Sequence, residues 1–146
     1  MKITDALLGE HAVIYLLLGH LEQSAGSYES AAEARTQGAL LAASLGSHAE
    51  LEDELLFCEL ESELGAGFGP LEVMRAEHAD IEGTIALLRD VDDVAEARRL
   101  AEHIAAAARG HSAKEEQVLF PLAENALGEE TLLRVGELWA ARRLGG

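Results

Sequence analysis

"HAELEDELLF", residues 48–57, returns as "HSAKEEQVLF" at 111–120, an offset of 63. A second, shorter echo pairs "EHAVI" at 10–14 with "EHADI" at 77–81, an offset of 67. In each longer copy a histidine is followed four residues later by a glutamate: His48 and Glu52, His111 and Glu115. At 3.6 residues per turn these partners stand about 40° apart on a helix, so they share one face. The next acids, Asp53 and Glu116, lie about 140° from the histidines and point elsewhere. Leu55 and Val118 continue the histidine stripe, which predicts that this face is buried.

Outward from these segments the chain reads as helices. Asp5 is placed to cap a first helix running to about Ala25. A second spans roughly Tyr28 to Leu64, and "GAGFGP" at 65–70 is a loop with Pro70 poised to start the third. The third runs from about Leu71 to Asp90 and the fourth from about Val94 to Leu127. Pro121 is expected to kink the fourth, and Gly128 to end it. A shorter helix at 129–144 carries Trp139 as its anchor. The predicted fold is therefore a single all-α domain over 1–146. Its core is an up-down-up-down four-helix bundle (about 5–127) with a short C-terminal fifth helix. The two echoes make the first helix pair a copy of the second, related by a pseudo-two-fold axis.

Composition narrows the function. Acidic residues number 27 against 11 basic, a net charge of −16. Such a field repels phosphate backbones and anionic lipid, so neither nucleic acid nor membrane is expected as partner. A protein partner is left open. The one cysteine, Cys58, excludes an internal disulfide framework and is expected to pack in the core. "MKITDALLGEH" has no signal-like apolar stretch and no 18-residue apolar run occurs, so the expected location is cytoplasmic.

The four echoed histidines, His11, His48, His78 and His111, are each followed at i+4 by Tyr15, Glu52, Glu82 and Glu115. Carboxylates and imidazoles buried on apolar stripes cost several kcal/mol per unpaired charge. No lysine or arginine on these stripes is near enough in sequence to pair with all of them, so bound cations resolve the conflict. Facing helices that deliver such groups build dinuclear sites, and imidazole with carboxylate suits iron, manganese or zinc. His20 falls nearly opposite His11 and should face solvent. His103, about 80° from His111, is read as a surface histidine or one that backs a ligand.

His11, His48-x3-Glu52, His78 in "EHADIE", and His111-x3-Glu115 followed by "EQVLFP" together resemble the hemerythrin-like, or HHE cation-binding, family. The resemblance covers about residues 5–127. It implies a four-helix bundle around two iron ions joined by an oxo or hydroxo bridge and two carboxylates, with manganese or zinc as lesser candidates. Glu52 and Glu115 would be the bridging carboxylates, and His11, His48, His78 and His111 terminal ligands. Oxygen-carrying members use five histidines, two of them as His-x3-His on the third helix. Here either Glu82 takes the place of the fifth histidine, or Met74 does and a ligand is missing; Glu82 is the favoured metal ligand. Tyr15 is expected to border the pocket and donate to a bound molecule. An added carboxylate favours the ferric state. The resemblance with this departure implies reaction with a small oxidant (hydrogen peroxide, oxygen or nitric oxide) rather than reversible carriage. Sensing or storage of oxygen, redox state or iron is the alternative.

Overall fold

The computed structural model describes residues 1–145 and, among them, contains helices and no strand. Helix α1 spans Ile3–Ala25 and α2 spans Ala31–Leu51. The second run continues through a π-helical turn, Glu52–Phe57, into α3, Cys58–Leu64. After the loop come α4, Gly69–Asp90, and α5, Val94–Lys114. A second π turn, Glu115–Leu119, leads into α6, Phe120–Leu144. Local chemistry sets these bounds. Gly65 and Gly67 take φ of 97° and 80° in the loop after α3, a region open to glycine. The Asp93 carboxylate caps α5 by accepting from the Glu96 amide at 2.7 Å.

Helix α1 packs on α2 and α5, α2 on α4, and α4 on α5; α6 returns along α1 and α3. Two apolar layers result. One holds Ile14, Leu18, Leu45, Ile81, Ile85, Ile104 and Ala108; the other holds Leu7, Leu51, Leu56, Phe57, Met74, Leu119 and Phe120. On every long helix the echoed histidine sits between a residue of one layer and a residue of the other. The bundle thus carries a polar seam across its middle, closed off from water at both ends.

Several expectations are corrected. Helix α1 begins before Asp5, whose carboxylate instead reaches back to accept from the Lys2 amide at 3.2 Å. Cys58 is exposed, not in the core; its thiol donates to the Asp53 carbonyl at 3.2 Å. Val118 is 61% exposed while Leu119 and Phe120 are buried. The π turn widens the helix there and slides the buried stripe by a residue. The irregularity near Pro121 is that same π turn. Its counterpart at Glu52–Phe57 has no proline after it, so proline is not the shared cause. Gly128, by contrast, is non-helical where the sequence placed a helix end: at φ 73° and ψ 162° it kinks α6.

Candidate metal centre

The echoed histidines converge. His11, His48, His78 and His111 are each 5% exposed or less, and Glu52 and Glu115 are fully buried. Two overlapping groups bring one donor atom from each member within 4.8 Å of the others. The first is His11, His48, Glu52 and Glu115; the second is Glu52, His78, His111 and Glu115. Both carboxylates belong to both groups. Glu115 faces His11 through one oxygen (3.2 Å) and His111 through the other (3.1 Å). Glu52 presents a single oxygen to His48 (3.3 Å) and His78 (3.4 Å).

Each imidazole is held from behind by an acid that adjoins a different member of the cluster. Glu10, beside His11, accepts from His48 Nδ1 at 2.7 Å. Glu77, beside His78, accepts from His111 Nδ1 at 2.9 Å. Asp53, beside Glu52, takes His78 Nδ1 at 3.4 Å, and Glu116, beside Glu115, takes His11 Nδ1 at 2.9 Å. With Nδ1 as donor, every Nε2 lone pair points inward, the tautomer a metal ligand needs. The pattern follows the sequence echo: Glu10 matches Glu77, and Asp53 matches Glu116. The sequence reading turned Asp53 away from the site, because its partner His78 lies in the other half of the chain. The only signal for it was the repeat itself, in which Asp53 aligns with Glu116.

The inward-facing atoms fit cations. Both oxygens of Glu52 and of Glu115, with Nε2 of His78 and of His111, are buried without a hydrogen-bond partner. Each such atom costs about 1–3 kcal/mol. His11 Nε2 and His48 Nε2 face one another at 3.2 Å. Two donors on one ion, with bonds of about 2.1 Å, stand roughly 3.0–3.4 Å apart at angles of 90–110°. The histidine–glutamate separations, 3.1 to 3.4 Å, match this spacing.

Electrostatics agree. Burial, then the charge of Glu115, pushes the Glu52 carboxyl well above its usual range. Glu115 is also opposed by burial, but the His11 and His111 imidazoles that face its two oxygens bring it well below that range. The pair by itself thus carries less than its full charge. Burial lowers the His48 pKa, favouring the neutral, ligating form. Glu10 is opposed by burial yet brought down to about 2 by hydrogen bonds from His48 and Arg143.

Other predicted residues fall outside the cluster. Glu82 is exposed and belongs to neither group. The buried stripe of α4 runs through Leu71, Met74, His78, Ile81, Thr84, Ile85 and Leu88, and Glu82 lies roughly 80° from its centre. It borders a cavity of about 20 Å³ lined also by His48, His78, His111 and Ser112. Tyr15 is half-buried, and its hydroxyl donates to Glu116 at 3.0 Å, the same oxygen that His11 uses. Burial, then that carboxylate, raises the Tyr15 pKa. His20 is exposed, and His103 pairs at the surface with Asp80 at 2.9 Å. Trp139 Nε1 and Arg143 Nε both donate to Glu10, at 2.9 and 2.6 Å, so α6 reaches His48 through one carboxylate.

The sequence model of one family, described as the hemerythrin HHE cation binding domain, matches residues 2–123. Among curated proteins and solved structures, none matches the chain.

Proposed function

The chain belongs to the hemerythrin HHE cation-binding family, and we propose that it is a non-haem di-iron protein that reacts with hydrogen peroxide, oxygen or nitric oxide rather than carrying oxygen reversibly. The observation that carries this reading is the pair of buried four-residue groups that share Glu52 and Glu115. His11 and His48 would hold one iron, His78 and His111 the other, and the two carboxylates would join them. Two irons, when bound, supply electrons to a small oxidant. The chain's own groups orient the histidines and exclude bulk water.

Each half of the site offers two imidazoles and two shared carboxylates. That donor count leaves coordination positions free, which suits turnover. Because Glu82 lies outside both groups, the reading rests on these free positions rather than on an added negative charge. The cavity of about 20 Å³ beside three of the histidines has the size of one small molecule. The hydrogen bonds from Trp139 and Arg143 to Glu10 favour a second reading, in which the centre senses oxygen, redox state or iron and α6 registers its occupancy.

Metal analysis of protein from iron-fed cells is expected to give about two irons per chain, and a value near zero would sink the reading. The ferric protein should absorb in the near ultraviolet, and Glu115→Ala should abolish that band. Oxygen evolved after adding hydrogen peroxide distinguishes turnover from sensing.

A further inference from the structure

The two halves of the repeat differ along one seam. On the α4–α5 side, the Asp80 carboxylate and His103 Nε2 join across the seam at 2.9 Å. By the offsets of 67 and 63, the equivalent residues on the α1–α2 side are Val13 and Leu40. Neither can pair in this way, and they are 57% and 58% exposed. Beside Val13 lies a cavity of about 500 Å³, whose walls include Ala6, Gly9, Ile14, Leu17, Ala43 and His48. A shallower pocket that shares Leu17 continues the seam to Leu40. One end of the cavity is closed by Trp139 and Arg143 of α6, with Glu10 and Ser47. This volume far exceeds the space an oxidant needs and falls in the range of about 300–1,000 Å³ typical of sites for small organic ligands.

We propose that this α1–α2 cavity is a binding site for an uncharged, largely apolar small molecule. The charged groups around it are already engaged. Glu10 accepts from His48, Trp139 and Arg143. Arg143 also donates to the Ser47 hydroxyl and carbonyl. Asp5 accepts from the Lys2 amide. A charged ligand would have to break one of these pairings, and the net charge of −16 adds repulsion against anions. An apolar body against Leu17, Ile14 and Val13 removes exposed hydrocarbon from water at no such cost. The site abuts the metal cluster, since His48 also lines it, but its apolar walls do not require a bound ion.

The test uses the neutral fluorophore N-phenyl-1-naphthylamine with the full chain. Saturable binding near one per chain is expected, with energy transfer from Trp139, the protein's one tryptophan. A side chain at Gly9 would meet open space, so Gly9→Leu should fill the cavity and weaken binding at least tenfold. The double variant Val13→Asp with Leu40→His, which copies the pairing of the other seam, should do the same. Both variants should keep their helical circular dichroism and their binding of zinc. The proposal is overturned by non-saturable binding to the unaltered chain, or by unchanged affinity in both variants. It is equally overturned if the unaltered chain sediments as a dimer that the double variant splits, since a second copy would then cover the seam.

Discussion

Glu10, Asp53, Glu77 and Glu116 decide how the four imidazoles are aimed, and each reaches across to a histidine on another helix. Losing one such bond should loosen a ligand without unfolding the bundle. Glu77→Gln is expected to lower metal affinity about 10- to 100-fold, measured by competition with a chelator, at nearly unchanged helicity. Glu52 makes the opposite case. Buried and without a hydrogen-bond partner, it destabilises the metal-free chain. Glu52→Leu should therefore raise the melting point of the metal-free protein, by about 1–4 kcal/mol of stability, while abolishing metal uptake. At this scale the sequence was informative where a histidine and a glutamate sat four apart, because helical spacing fixes a shared face. It misled at Glu82. That residue shares a face with His78, but the packed stripe of α4 leans the other way, toward Ile81 and Ile85. Only the neighbouring helices determine that lean.

Among the elements, the two π turns mark the limit of periodicity reasoning. Each begins at a shared carboxylate, Glu52 or Glu115. In such a turn each residue advances by less than in an α-helix. The acid that follows is then less far from the inward face than a 140° rotation would put it. Regular helical phase therefore sent Asp53 outward and Val118 inward, and both are corrected by the wider turn. The last element is tied to the first by close contact. A Cβ on Gly136 would stand 2.1 Å from the Met1 carbonyl oxygen and 3.1 Å from the Ile3 nitrogen. Gly136→Ala must push α6 away from α1, since both atoms belong to the backbone. The expected result is a loss of about 1–3 kcal/mol, read from the melting curve, together with a red shift of Trp139 emission as its bond to Glu10 is strained.

For the whole molecule, the donor cluster between two apolar layers is expected to make stability depend on a bound ion. An ion that binds only the folded chain stabilises it by about 2.7 kcal/mol at a hundredfold excess over its dissociation constant. Stripping metal with a chelator should lower the melting temperature, and restoring zinc or iron should recover it; an unchanged melting curve would contradict a site at the core. The all-helical fold was legible in the alanine- and leucine-rich composition and in the loop glycines. The repeat also foretold that the histidines would meet. The α1–α2 cavity was not legible, because it arises from what Val13 and Leu40 fail to do across a gap that only packing reveals.

Each group of four donors draws on both halves of the repeat. His11, His48 and Glu52 need Glu115, and His78, His111 and Glu115 need Glu52. During synthesis, a chain that has emerged from the ribosome only as far as the loop at 65–68 holds three of the six donors and neither complete set. A cation would thus meet the full donor set only once translation has passed residue 115 and the second half has closed on the first. On the di-iron reading, the order of these residues along the chain would keep a half-made protein from capturing a reactive metal.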